Sequence, residues 1–466
     1  LFLIISIIML QYFISYNANK ISNSLEKVTS DYTTYSTSLI TMNNSKINNI
    51  NNLKGKRIGI ISDKNNVEGY IISKEIIKSN NITKDSLVEY DDFINMLNDL
   101  YKGKVDAIFI SSSYASLFGN VDGFNNLKDT VKVITSKEKL MKKNNDKTSN
   151  KTLTKPFTVL VMGVDSEKEN LSSGSGMNGD ALLLMTFNPN TMNATILSIP
   201  RDTYVPIACY KNKAKSKINA AAYGGEKCMM DTITNFTGIN IDYWVKINFK
   251  GVVSLVNALG GVDVNVPYTF CEQNSKREWG KNTVFVKKGI QTLNGEQALA
   301  LSRHRKRDTL HKQYCASYYN TKYIINDFVR GQSQQLVING IINKAKSIRS
   351  FNQIYSLLDV VGNNMDTNID KETMLTGFDT FKNVLLNSKN ITSDDFIGTQ
   401  KLYLSGRDKM INGVYYFQYY EQSLKEITSA MEINLELKEP VMDKEFSFSI
   451  NKPYENIQIG KGTYKY

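Results

Sequence analysis

Four charged residues stand at the ends of apolar runs between positions 157 and 202. Asp165 follows "FTVLVMGV", Asp180 precedes "ALLLMTF", and Arg201 and Asp202 follow "ATILSIP". Carboxylates gathered near a guanidinium suit a hard divalent cation and a phosphate: oxygen ligands for the ion, a planar fork of N–H donors for the anion. The same residues can also form an ordinary Asp–Arg bridge at a sheet rim.

More cations follow. "LNGEQALALSRHRKR" clusters basic residues, and if this piece is extended, Arg303 and Arg305 share a face that continues the one carrying Leu299 and Leu301. Two guanidiniums projecting together can grip a diphosphate bidentately, although a solvated basic loop has the same composition. "NDFVRGQSQQLVINGIINK" has the spacing of a long helix on which Asp327, Arg330 and Gln334 make one polar stripe, a pattern found more often on surfaces than in sites. Gly331 within that helix costs about 1 kcal/mol relative to Ala, and a close backbone approach would account for it.

The elements that must position these groups are strands. If the runs flanking "NPNTMN" pair as an antiparallel hairpin, Phe187 lies opposite Ala194, and the same register sets Asp180 against Arg201. Pro200 cannot donate a ladder hydrogen bond, so it ends the pairing and turns Arg201 and Asp202 out of the sheet. Asp165 reaches the same edge if its strand lies beside the hairpin. Helical spacing in "KCMMDTITNFTG" and "FKGVVSLVNALGG", and a strand at "VDVNVP", continue an α/β pattern to about residue 434.

At 466 residues and 41% hydrophobic content the chain can bury several cores, and its net charge of +12 suits an anionic partner. The opening "LFLIISIIMLQYFISY" carries no charge. As a helix it rises about 24 Å, short of the roughly 30 Å hydrocarbon layer, so residues 1–19 are expected to be part of a membrane anchor that begins upstream; a cleaved signal peptide is the alternative. Residues 20–52 have the composition of a polar spacer. Residues 53–140 alternate strand and helix as a small α/β domain, 141–155 form a second polar linker, and 156–434 form the main α/β domain, with an unassigned tail at 435–466. Cys209, Cys228, Cys271 and Cys315 allow three pairings. Pairing nearest neighbours would staple two polar loops, as suits an oxidising exterior, and four buried thiols are the alternative.

"SIPRDTYV", "KINAAAYGG", "ALGGVDVNVP", "LNGEQALALSRHR" and "DFVRGQSQQ", in this order, resemble the LytR-CpsA-Psr family of membrane-anchored, extracytoplasmic enzymes. The resemblance implies an α/β fold with a mixed central sheet between helices in three layers. It also implies transfer of a glycopolymer, such as teichoic acid or capsule, from a polyprenyl-pyrophosphate carrier to peptidoglycan. By motif, Asp165 and Asp180 would hold Mg2+ or Mn2+, and Arg201, Arg303, Arg305 and Arg330 would bind phosphate oxygens. Asp202, Lys217, Asn219, Asp327 and Gln334 would complete the substrate-binding set, and an aspartate released from the metal could take the acceptor proton. An apolar cleft for the lipid would be supplied by "GVVSLVNALGG" and the 327–345 helix. Residues 53–140 resemble one lobe of an extracytoplasmic solute-binding domain, with "LKGKRIGI" and "GKVDAIFI" carrying the likeness. Asn178 stands where the family usually has Arg, Ser333 precedes Gln334 where "RQ" is usual, and an insertion containing Cys315 separates Arg305 from Asp327. Two readings compete: a pyrophosphatase with water as acceptor, and a non-catalytic carrier- or glycan-binding surface protein. No helix-turn-helix or basic recognition helix emerges, so nucleic acid is not an expected partner.

Overall fold

The computed structural model describes residues 32–118, 123–124, 126–142, 153–164, 181–304, 309–315, 327–345, 357, 364–370, 373–374, 377, 398–411 and 413–439. The expected anchor, Asp165, Asp180, Arg305 and the C-terminal tail beyond 439 lie outside them. Among the described residues no helix is long and apolar enough to cross a membrane.

The N-terminal lobe is a five-stranded sheet. Its elements are β1 (Tyr32–Met42), β2 (Ile58–Ile61), α1 (Ile72–Ser79), β3 (Leu87–Tyr90), α2 (Phe93–Tyr101), β4 (Ala107–Ser111), α3 (Tyr114–Phe118), α4 (Leu127–Thr130) and β5 (Val131–Lys142), in the strand order β3-β2-β4-β1-β5. Strand β2 runs parallel to β3 and β4, while β1 is antiparallel to both β4 and β5. Residues 32–42 were expected to lie in a polar spacer, and this is a correction. Their threonines and tyrosines favour an extended backbone, and Ser36, Thr37, Ser38 and Thr41 are buried with their hydroxyls hydrogen-bonded.

The larger domain is built on β6 (Phe157–Val164), β7 (Ala181–Asn188) and β8 (Asn193–Ile199). After β8 come β9 (Tyr204–Pro206), β10 (Lys215–Lys217), α5 (Gly225–Thr237), β11 (Tyr243–Asn248), α6 (Phe249–Ala258), β12 (Val262–Val266), β13 (Phe270–Glu272), β14 (Val284–Val286) and β15 (Gly289–Leu293). They are followed by α7 (Gly295–Arg303), α8 (Thr309–Tyr314), α9 (Asp327–Ala345), β16 (Met365–Thr367), β17 (Gly398–Tyr403), β18 (Gly406–Ile411), β19 (Val414–Tyr419) and α10 (Glu421–Asn434). The six-stranded sheet has the order β16-β11-β6-β7-β8-β17 and is mixed: β6/β11 and β8/β17 are parallel, the other pairs antiparallel.

Alternation along β8 assigns its two faces. Leu197 and Ile199 pack with Met229 and Ile233 of α5 and with Ile427 and Met431 of α10. Ser198 points the other way, toward Gly331 of α9, where an added Cβ would stand 2.7 Å from the Ser198 Oγ. Helices therefore cover both faces of this sheet. A separate apolar cluster joins α6, α7 and α9 to β12, β13 and β15 through Val256, Val264, Phe270, Leu293, Leu301 and Val337.

The two lobes touch at Tyr223, which belongs to the larger domain. Its ring stacks on Phe118 at 4.9 Å and meets Phe93 edge-on at 5.9 Å, and its carbonyl accepts from Asn66 Nδ2 at 3.0 Å.

Candidate active site

The hairpin register is the expected one: Phe187 pairs with Ala194 and Leu182 with Ile199. Strand β6 lies beside it, with Gly163 opposite Ala181, so the described strands leading to Asp165 and away from Asp180 end side by side at the edge where β8 stops. Beyond β8 a turn closes with Thr203 N donating to Pro200 O at 3.0 Å.

Arg201 and Asp202 leave the sheet as expected, but both are buried, with 6% and 2% of their surface exposed. Asp202 places one carboxylate oxygen 2.8 Å from Lys217 Nζ and the other 3.8 Å from Arg201 Nε. Its own backbone carbonyl accepts from Phe417 N at 2.8 Å. Asp202 faces inward, with its carboxylate between the Lys217 ammonium and the Arg201 guanidinium. Lys217 ends β10, which pairs with β9, and its ammonium lies 5.9 Å from the Tyr415 and Tyr416 ring centres. Asn219 N donates to Arg201 O at 3.2 Å, tying the rim segment to the strand end.

Helix α9 carries Arg330 and touches the segment that carries Arg303. Gly331 lets the helix lie against Ser198, as its position in a helix requires, and Arg330 beside it is 8% exposed. Gln334 Nε2 donates to Ser302 O at 3.3 Å, next to Arg303 at the end of α7. Gln335 Nε2 donates to Ile196 O at 3.3 Å and to Leu402 O at 3.1 Å, locking the helix across β8 and β17. Segments carrying Arg201, Arg303 and Arg330 are thus tied to one another through a single helix. The polar stripe of α9 is buried at Arg330 and Gln334, and is not a solvated face. Asp327 opens the helix, and its side chain lies outside the described residues.

The extended reading of 299–305 is corrected. Residues 295–303 are helical, started by a capping box in which Asn294 accepts from Gln297 N at 2.9 Å and Gln297 Oε1 accepts from Asn294 N at 3.1 Å. Arg303 therefore takes its direction from a helix end: Nη1 donates to Asn274 O at 3.1 Å and the guanidinium sits 4.8 Å from the Phe249 ring centre.

Two buried charge clusters escaped the sequence reading. Lys246 of β11 lies 2.8 Å from Glu226 and 3.5 Å from Asp366. Burial pushes its ammonium pKa down, and the two carboxylates more than reverse this, so the pKa stands above the ordinary lysine value. Glu272, His304 and His311 form the second cluster, with both imidazoles 3.0 Å from Glu272 Oε2. Burial raises the Glu272 pKa, but hydrogen bonds from the two histidines hold it down to about 2. The only advance sign was that the chain has two histidines in all. The cysteines pair Cys209–Cys228 and Cys271–Cys315, the nearest-neighbour arrangement, and none of the four is free.

Residues 123–433 match the LytR_cpsA_psr family and residues 23–149 match an NMT1/THI5-like family. The polyisoprenyl-teichoic acid–peptidoglycan teichoic acid transferase TagU of Bacillus subtilis is 34% identical over 282 residues, covering 60% of this chain and 78% of that protein. An uncharacterized protein of Staphylococcus aureus is 32% identical over 294 residues, and the match covers 62% of this chain and 64% of that protein's length. The crystal structure of B. subtilis TagV is 29% identical, with a TM-score of 0.48 over 61% of this chain and 98% of that one. With the match to the first family spanning well over half of its length, the chain belongs to the LytR-CpsA-Psr family.

Proposed function

We propose that this protein transfers a glycopolymer, of the teichoic acid or capsule type, from a polyprenyl-pyrophosphate carrier to cell-wall peptidoglycan. The observation that carries the reading is the tie, through α9, between the segments bearing Arg201, Arg303 and Arg330 at the end of a mixed sheet, in a chain related to teichoic acid transferases. The acceptor sugar hydroxyl attacks the phosphorus next to the polymer, the pyrophosphate P–O bond breaks, and polyprenyl phosphate leaves. This chemistry needs charge neutralisation more than a protein nucleophile, because negative charge on the leaving phosphate grows as the bond breaks.

Arg201 and Arg330, held in buried surroundings, would grip the phosphate oxygens, with Arg303 and Arg305 completing the grip. Lys217, fixed by Asp202, supplies a further cation at the rim. Asp165 and Asp180 offer the oxygen donors that suit Mg2+, which when bound would neutralise pyrophosphate charge. A cleft for the lipid chain would be bounded by α6, α7 and α9, whose inward-facing residues pack into one apolar cluster. Two disulfides support an oxidising, extracytoplasmic setting for the domain, with residues 1–19 as its membrane attachment.

The test is to incubate the full chain and Mg2+ with a polyprenyl-pyrophosphate-linked sugar, with and without a peptidoglycan oligomer. A phosphodiester-linked product formed only with the oligomer supports the transferase. Equal release of polyprenyl phosphate in both reactions, without a linked product, would instead identify a pyrophosphatase.

A further inference from the structure

Glu272 ends β13, His304 caps α7 and His311 lies in α8, so three separate segments bring these side chains together. All three are buried, at 6%, 1% and 7% exposure, and their ligand-type atoms lie within 4.8 Å of one another. Glu272 Oε2 is 3.0 Å from His304 Nδ1 and 3.0 Å from His311 Nε2. In a tetrahedral zinc site with bonds near 2.0–2.1 Å, neighbouring ligand atoms stand about 3.3 Å apart; the two carboxylate–imidazole separations lie within a few tenths of an ångström of that, and the two imidazole nitrogens, within 4.8 Å of each other, would settle toward it around an ion. We propose that Glu272, His304 and His311 form a binding site for one zinc ion, with a fourth position open to water.

The chemistry selects the ion. Two imidazoles and one carboxylate suit a borderline cation such as Zn2+, whereas Mg2+ prefers an all-oxygen shell. The Cys271–Cys315 disulfide, flanking Glu272 on one side and α8 on the other, removes both nearby thiols from competition and holds β13 against α8. A bound ion would pin His304, the residue directly after Arg303, and so brace the arginine-bearing end of α7. The inference does not depend on the transferase reading.

Ion binding has an atomic signature. Without metal, the Glu272 carboxylate accepts, so His304 donates from Nδ1–H and His311 from Nε2–H. With zinc bound, those two nitrogens present lone pairs to the ion, and the ring protons move to His304 Nε2 and His311 Nδ1. Each of those two nitrogens therefore gives up its proton when the ion binds.

With two histidines in the chain, the untagged, 15N-histidine-labelled chain has four imidazole nitrogens to follow by NMR. After treatment with a chelator, Zn2+ is titrated in excess Mg2+. The expected result is saturation at one Zn2+ per chain, with His304 Nδ1 and His311 Nε2 becoming metal-bound. His311→Gln, which can still donate to Glu272, should lower zinc affinity at least about a hundredfold, beyond the usual cost of losing an outer-shell partner. Protons that remain on Nδ1 of His304 and Nε2 of His311 at saturating Zn2+ would overturn the proposal, as would wild-type affinity in His311→Gln. Should that variant not fold, the wild-type spectrum decides alone.

Discussion

Asp202→Asn tests whether an inward-facing carboxylate sets the phosphate-binding cations. The change keeps size and shape but removes the charge that lies 2.8 Å from Lys217 Nζ and 3.8 Å from Arg201 Nε. At those separations the bare Coulomb attraction amounts to several kcal/mol even at an effective dielectric of about 20, and desolvation of the buried groups offsets most of it. The net worth of a hydrogen bond to a charged group, about 1.5–3 kcal/mol, is the better measure of what is lost. If Arg201 and Lys217 need that anchor in the transition state, kcat/KM should fall about 10- to 150-fold. The assay is transfer from a polyprenyl-pyrophosphate donor to a peptidoglycan oligomer, with near-UV circular dichroism confirming the fold. Asp202→Asn and Lys217→Met should be strongly non-additive, because the two residues are in contact. A transfer rate within twofold of wild type for Asp202→Asn, alongside an inactive Lys217→Met, would refute the positioning role.

Further outcomes concern packing and stability. Lys246→Met strands two carboxylates and should cost about 3–5 kcal/mol in urea unfolding at neutral pH, while Lys246→Met/Glu226→Gln/Asp366→Asn recovers most of it. Because the folded-state pKa of Lys246 is raised, its contribution is complete below the unfolded value near 10.4 and is lost as pH rises through the folded value, so the gap between wild type and Lys246→Met should narrow only under strongly alkaline conditions. Gly331→Ala sets a Cβ against Ser198 and should cost about 1–3 kcal/mol despite its better helix propensity; adding Ser198→Ala should restore most of that stability in thermal unfolding. Replacing both Cys209 and Cys228 by Ala should cost about 3 kcal/mol, and alkylation without reductant should leave the mass of the native chain unchanged.

What the sequence made legible followed from local periodicity. Two apolar runs around "NPNTMN" specify the β7/β8 register because slipping by one residue would turn Leu197 and Ile199 away from the core. Gly331 announced a close contact because nothing else repays a glycine in mid-helix. The errors have equally local causes. "ALALS" alternates like a strand, but the Asn294/Gln297 capping box before it starts a helix. Residues 32–42 look like a spacer by polarity, yet other segments of the lobe, at Glu68, Asp106 and Ser136, satisfy their hydroxyls. Burial of Arg201 and Asp202 was not legible because the groups beside them come from β10, past an intervening loop, and from β19, far along the chain. The Glu272, His304 and His311 cluster was hidden for the same reason, with its carboxylate on β13 and its imidazoles beyond α7.

The proposed transfer site rests on arginines from three separate segments. Its most direct measurement is the initial rate of Mg2+-supported transfer to a peptidoglycan oligomer by the full chain, compared with Arg201→Ala and Arg330→Ala. Removal of either guanidinium is predicted to lower the rate at least about a hundredfold, as loss of a charge-stabilising donor does in a preorganised site, with the fold unchanged. Wild-type rates in either variant would show that these guanidiniums do not serve the transfer step.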